Sequence, residues 1–240
     1  MPSRRPIGII TGAGSGIGAA TAVEFARIGA RLVLASLSTD DLGTVVAAVE
    51  AAGGQAVPAQ VDVRSPSELE LLPRLAVEHF GRLDFLFANA GILDHSAVAD
   101  GDPDRWRSVI ETNLLGAAYT VRAALPTMIE QGWGDIVLTA SIAGRETHVG
   151  EPIYIASKWG LVGFGHALRK EVAPHGIRVI LIEPGLVDTP ATRLDGVTRP
   201  MLEASEPLLA EDVARAVVYA CTQPPHVVLS EVTIRPRREP

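Results

Sequence analysis

Short apolar runs alternate with stretches whose apolar residues recur every three to four positions, and the alternation continues from residue 7 to residue 234. The run at 7–10 predicts a strand. Residues 16–28 place Ile17, Ala20, Val23 and Ala26 at helical spacing, and Gly29 ends the pattern. A strand at 31–35 is followed by a helix over 40–52, entered through Ser38-Thr39-Asp40 and closed by Gly53-Gly54. The same reading gives a strand at 56–61, a helix over 65–80, a strand at 84–88, a long helix over 106–131 and a strand at 135–141. Then come a helix over 152–173 opened by Pro152, a strand at 178–182, a helix over 211–222 and a last strand at 227–234. Strands separated by helices pair in parallel through right-handed crossovers. Runs apolar throughout fit a sheet covered on both faces. The expected architecture is α/β: one seven-stranded, mostly parallel, doubly wound sheet with helices on both faces, forming a single domain over 1–240. Residues 186–209, with Pro190, Pro200 and Pro207, depart from the alternation and are expected to cap a pocket.

Composition narrows what such a fold does. A length of 240 residues allows a full core, and 47% hydrophobic content fits a buried sheet. The net charge of −7 argues against a nucleic-acid surface, which needs a basic footprint. Arg235, Arg237 and Arg238 read as a solvated tail. With Cys221 the one cysteine, no internal disulfide forms, and a reducing, cytoplasmic setting is expected. The apolar run after residues 1–6 is shorter than a secretory leader requires, and no stretch approaches the ~20 residues of a membrane span. The six histidines are scattered without a His-x-x-x-His pair, so no metal site is expected. The Gly-x-Ser-x-Gly elbow of a serine hydrolase is missing around both Ser15 and Ser141.

Two motifs carry chemistry. Thr11-Gly12-Ala13-Gly14-Ser15-Gly16-Ile17-Gly18 lies between the first strand and the first helix. Glycines let the backbone turn tightly and approach a ligand, and the helix start offers free N–H groups to a pyrophosphate. Further on, Tyr154 and Lys158 stand four apart on one helix face, with Ser141 upstream. A phenol of ordinary pKa is a poor base at pH 7, and an ammonium beside it favours the phenolate. A lowering of about 2–3 units would suit Tyr154 to general acid–base work.

In these motifs the chain resembles the short-chain dehydrogenase/reductase family, of the common single-domain Rossmann type. The likeness extends through Asp62, Asn89-Ala90-Gly91, Asn113, Ser141, Tyr154, Lys158, Pro184-Gly185 and Thr189. It implies reversible hydride transfer between NAD(P)(H) and a carbonyl or alcohol carbon. Tyr154 is then the acid or base, and Lys158 lowers its pKa and holds the nicotinamide ribose. Ser141 orients the substrate oxygen, and Asn113 holds a water that relays the proton. The resemblance also implies that Gly12, Ser15, Gly16, Ile17 and Gly18 surround the pyrophosphate. Asp62 meets the adenine through its side chain and Val63 through its backbone. Asn89, Ala90 and Gly91 flank the ribose, and Pro184, Gly185, Val187 and Thr189 line the nicotinamide. The chain carries Ser36 and Leu37 where the family usually has Asp for NAD or Arg for NADP. Ser36 removes the carboxylate that repels a 2′-phosphate, Leu37 adds no counter-charge, and Asp40 and Asp41 stand close by. NADP(H) is narrowly favoured over NAD(H).

The partner implied is a small carbonyl or alcohol, in a pocket formed by 92–95, 143–150 and 186–209. There His95, Arg145, His148 and Arg193 are expected to be solvated. A homo-oligomer, tetramer or dimer, follows from the resemblance, with Leu114, Leu115, Trp159, Leu161 and Phe164 available for packing or core. The alternative is a regulator that senses NAD(P) without turnover. Such proteins tend to lose the catalytic Tyr or Lys, and this chain keeps both.

Overall fold

The computed structural model describes residues 5–238. Residues 1–4 and 239–240, which end the expected 1–240 domain and begin the stretch read for a leader, lie outside the described residues. So does the side chain of Asp40. The buried strand β1 (Ile7–Thr11) leads into α1 (Gly16–Arg27), β2 (Arg31–Ser36), α2 (Thr39–Ala51) and β3 (Gln55–Gln60). Next come α3 (Pro66–Leu69), α4 (Leu71–Phe80) and β4 (Phe85–Ala88). After them α5 (Pro103–Ile110), a π-helical turn (Glu111–Gly116), α6 (Ala117–Gln131) and β5 (Gly134–Thr139) follow. A 3₁₀ turn (Ile142–Gly144) precedes α7 (Pro152–Val172), another 3₁₀ turn (Ala173–His175) and β6 (Ile177–Pro184). The chain closes with β7 (Val187–Asp188), α8 (Pro190–Leu194), α9 (Thr198–Ala204), β8 (Leu208–Leu209), α10 (Ala210–Cys221) and β9 (Glu231–Ile234).

Seven strands form one sheet in the order β3-β2-β1-β4-β5-β6-β9, and every pairing is parallel. Alternate residues of each strand face opposite layers. Ile9, Val33, Leu86, Leu138 and Leu181 face α4, α6 and α7, whereas Ile10, Leu34, Phe87, Val137 and Ile182 face α1, α2 and α10. The strand order reverses between β1 and β4, which opens a crevice at their carboxyl ends.

Four boundaries differ from the periodic reading. The helix expected over 65–80 is broken at Glu70, because the ring of Pro73 would clash with the carbonyl four residues back, that of Leu69. The helix expected over 106–131 begins at Pro103, where Asp102 caps it, and widens into the π turn that carries Asn113. The last strand is shorter than 227–234. Arg178 collects the carbonyls of Cys221, Gln223, Pro224 and Val227 and holds that segment off the sheet edge. Residues 186–209 are not irregular: β7 and β8 pair in parallel and enclose α8 and α9.

Candidate active site

The turn after β1 is built for a close ligand. Gly12 and Gly16 have φ of 63° and 53°, the left-handed region that side chains disfavour. A Cβ on Gly18 would lie 2.2 Å from the Gly12 carbonyl oxygen, so the first turn of α1 packs directly on the glycine loop. Ser15, the residue before α1, makes no side-chain cap, and no acid occupies the first helical turn. The leading N–H groups and the positive dipole end are therefore free for an anion, which is the donor set a pyrophosphate requires. Asn89 holds this turn rather than reaching outward: its Nδ2 donates to the carbonyls of Thr11 and Gly12 at 3.2 and 3.3 Å, and its Oδ1 accepts from Thr139 at 3.1 Å.

Across the crevice, β5 ends at Thr139 and the chain turns through Ser141. The Ser141 Oγ caps the 3₁₀ turn, accepting from Ala143 N–H at 3.1 Å, and donates to the Pro184 carbonyl at 3.4 Å. It also acts on the Tyr154 hydroxyl, drawing the phenol's pKa down. Lys158, one helical turn on, is buried; its Nζ donates to the Thr139 carbonyl at 2.8 Å and lies 5.6 Å from the Tyr154 ring centre. Asn113 is committed on both sides. Its Oδ1 accepts from Ile92 N–H at 2.8 Å, and its Nδ2 donates to the Ile92 carbonyl and the Ser157 hydroxyl at 3.0 and 3.2 Å. Gly91 sits between the two, where a Cβ would meet Asn113 Oδ1 at 3.2 Å and Lys158 Nζ at 3.8 Å.

The electrostatics correct the expectation that Lys158 makes Tyr154 acidic. Burial pushes the phenol up from 10.0 to about 12, the Ser141 hydroxyl draws it back, and the negative charge of Glu151 raises it further. Burial also pushes Lys158 down from 10.5 to about 8, so the cation is itself held at a cost. Tyr154 is protonated throughout the neutral range: as the cleft stands it holds a proton donor, not a phenolate.

A family model described as short chain dehydrogenase matches residues 7–198. The chain belongs to the short-chain dehydrogenases. An oxidoreductase of Staphylococcus aureus, named as uncharacterized, is 40% identical over 231 residues, covering 96% of each chain. Two solved short-chain dehydrogenase-like structures superpose closely. Carveol dehydrogenase from Mycobacterium avium, in complex with NAD, is 28% identical with a TM-score of 0.88 over 96% of each chain. An alcohol dehydrogenase from the archaeon Thermococcus sibiricus, complexed with 5-hydroxy-NADP, is 25% identical with a TM-score of 0.86 over 98% of each chain.

In this short-chain dehydrogenase the remaining expected residues all reach the carboxyl edge of the sheet, but several side chains are already engaged. Asp62 holds Arg64 through both oxygens, at 2.6 to 3.0 Å, which lowers its pKa; the carboxylate is spent there rather than aimed outward. Val63 is buried against Gly116, leaving only its backbone to the crevice. Ser36 ends β2, and Leu37 is 63% exposed. A Cβ on Gly14 would meet Asp41 Cβ at 2.9 Å and Ser36 Oγ at 3.0 Å, so Asp41 stands beside the phosphate turn. Ala90 packs over Gly12, and Val187 is buried in β7. Thr189 caps α8 in a capping box with Thr192, and its methyl lies against Gly16. The 186–209 segment thereby rests on the phosphate turn. A groove of about 640 Å³ runs between that segment and α1, lined by Gly16, Thr189, Pro190 and Glu211 and set apart from Tyr154.

Of the four polar residues expected to be solvated, His148 is exposed and Arg193 pairs with Asp188 at the surface. Arg145 is partly exposed but engaged: it bridges buried Glu183 and the half-exposed Glu231 at 2.8 and 2.5 Å. His95 is not solvated but wedged between Glu151 and Asp195. Glu151 and Asp195 drew no notice as sequence, because nothing local marks carboxylates that meet a histidine from distant loops. Leu161 belongs to the core, whereas Leu115 and Trp159 are 38% and 49% exposed. Among the described residues no helix is long and apolar enough to cross a membrane, and no cluster of three or more His, Cys, Asp or Glu is placed to hold a metal.

Proposed function

We propose that the protein catalyses hydride transfer between NAD(P)(H) and a small carbonyl or alcohol, working as a carbonyl reductase with Tyr154 as the acid. The observation that carries this reading is that buried Ser141 and buried Lys158, one turn from Tyr154, stand with its hydroxyl opposite a glycine turn whose helix start is free for an anion. The nucleotide, when bound, supplies the hydride. Ser141 and the Tyr154 hydroxyl together offer two hydrogen-bonding groups to one substrate oxygen, which fixes the carbonyl for attack. As negative charge develops on that oxygen, Tyr154 gives up its proton. Lys158, beside it, stabilises the phenolate that forms. A phenol held near 12 is a poor base at pH 7 and carries its proton there, as the acid role requires.

Gly12, Ile17 and Gly18 would hold the pyrophosphate, the backbone beyond β3 the adenine, and Pro184 to Thr189 the nicotinamide. Ser36, in place of a carboxylate, favours NADP(H), while Asp41 at the same corner works against it, so the preference is narrow. We read residues 186–209 as the cap of a single domain and the setting as cytoplasmic. Leu115 and Trp159 supply an exposed apolar face on which copies would assemble into a dimer or tetramer.

Titration with NADH and NADPH, followed by turnover on aldehydes and ketones, tests the reading. Tyr154→Phe should abolish turnover and leave nucleotide affinity within about threefold, since the lost hydroxyl serves the substrate. Residual activity above roughly a tenth of the parent contradicts the acid role. Nucleotide binding without turnover on any carbonyl favours a sensor instead.

A further inference from the structure

Three loops at the carboxyl edge of the sheet meet at one imidazole. His95 follows β4, and its side chain is 12% exposed. Its Nε2 lies 3.4 Å from Oε2 of Glu151, the residue that precedes α7, and its Nδ1 lies 3.2 Å from Oδ2 of Asp195, at the end of α8. Asp195 is held firmly in its own segment. Its Oδ1 accepts from the N–H groups of Val197 and Thr198 at 2.9 and 2.8 Å and from the Thr198 hydroxyl at 3.1 Å. Glu151 is three residues from Tyr154 and is the carboxylate whose charge acts on the phenol. The neighbouring charged pair, Asp94 in the same loop and Arg105 on α5, is turned elsewhere: Arg105 bonds the Leu93 carbonyl, and Asp94 accepts from Ser96 at 2.7 Å. The charged groups facing the imidazole are therefore the two carboxylates.

A neutral imidazole has one N–H and one bare nitrogen. Between two carboxylates the bare nitrogen would oppose oxygen lone pairs, and only the imidazolium donates on both sides. We propose that His95 is a positioning residue, its imidazolium tying the 186–209 segment through Asp195 to the start of the Tyr154 helix through Glu151. The tie has two consequences. It pins the segment that rests on the phosphate turn, and it neutralises the carboxylate nearest the phenol. The kinetic half of this proposal rests on the reductase reading; the mechanical half does not.

The sign of the pH response follows. Hydrogen bonding to Glu151 and the charges of both carboxylates raise His95 above its ordinary 6.5, against the opposing effect of burial. The tie is complete below 6.5 and is lost as pH rises through the folded value.

Hydrogen exchange of the full chain without ligand tests the mechanical half. In His95→Ala and Asp195→Asn at pH 7, amides of residues 190–204 should exchange at least about tenfold faster, the effect of losing a charge-assisted bond, with the rest of the molecule unchanged. Asp195→Asn keeps an oxygen for the Val197 and Thr198 amides, so its effect isolates the charge. The wild-type protein supplies a measurement free of folding defects. Trypsin cleavage after Arg193, 68% exposed in its side chain, should accelerate from pH 6 to pH 8.5 relative to His95→Ala measured at the same pH. The Arg199 bond is protected by Pro200. Equal exchange in all three proteins, or a cleavage ratio flat with pH, overturns the tie. For turnover, His95→Ala should raise the substrate KM about tenfold with kcat within about threefold, and the wild-type KM should climb with pH while that of the variant does not. A fall in kcat alone overturns the positioning role. If no carbonyl is turned over while the exchange result holds, the reductase reading fails and the tie stands.

Discussion

Lys158 is a cation the fold holds at a loss, and removing it should stabilise the protein while destroying its activity. Keeping a buried lysine near 8 instead of 10.5 costs about 3 kcal/mol wherever folded and unfolded chains both carry the proton, at ~1.4 kcal/mol for each tenfold weakening of proton binding. The folded state binds this proton less tightly than the unfolded chain. The penalty is therefore complete below pH 8, shrinks between 8 and 10.5, and vanishes above. Lys158→Met removes the charge and keeps the volume, but it leaves the Thr139 carbonyl without its 2.8 Å donor, at a cost of about 1–2 kcal/mol. The net expectation at pH 7 is a gain of about 1–2 kcal/mol. Urea unfolding of both proteins at one fixed concentration, at pH 7 and pH 9, measures it. The wild type should gain about 1 kcal/mol on the variant between those pH values. The titration of His95 is common to both proteins and cancels in the comparison, and Tyr154, near 12, stays protonated throughout. Parallel pH dependences, or a variant less stable at pH 7, would refute the buried-cation argument.

Gly18→Ala should abolish nucleotide binding and destabilise the fold, since its Cβ would sit 2.2 Å from the Gly12 carbonyl oxygen; calorimetric titration and a melting curve check both. Asp41→Asn should raise NADPH affinity about three- to tenfold and leave NADH nearly unchanged, because only the 2′-phosphate faces that charge. Equal effects on the two nucleotides would remove Asp41 from the discrimination. Ser141→Ala should lower kcat about 10²-fold with a small change in KM, and should also raise the phenol's pKa by removing the hydroxyl that lowers it, readable by ultraviolet titration of the tyrosines.

What the sequence revealed was local. The glycine turn is legible because Gly12 and Gly16 must adopt positive φ and Gly18 must let a helix touch a loop. The central strands are legible because they are buried on both faces and mostly apolar. Tyr154 and Lys158 are legible because a helix brings residues four apart together without help from the rest of the fold. The Ser141 contact is one step less local, since β5 and α7 must both be in place before the two hydroxyls meet. The break at Glu70 was also there to be read: Pro73 announces it, but an unbroken apolar period outweighed it. The π turn at Glu111–Gly116 has no comparable signal, and the tie between Asp195 and His95 joins residues 100 apart.

The expected acidity of Tyr154 failed for a related reason. Spacing on a helix gives the distance between two groups but not the medium around them. A lysine four residues from a tyrosine lowers the phenol only where the attraction exceeds the cost of taking both from water. Here Lys158 is 5% exposed, and its proton is directed to the Thr139 carbonyl rather than to the phenol. Burial then acts on both groups in opposite senses, raising the phenol from 10.0 to about 12 and lowering the ammonium from 10.5 to about 8. An ammonium that holds its proton more weakly than the phenol does can give that proton to the phenolate downhill. A phenol that has given its proton to a substrate oxygen is then best stabilised by a neighbouring cation that is held weakly and can pass its own proton on. The same burial that makes Lys158 a liability to the fold is what loosens its proton enough to restore Tyr154.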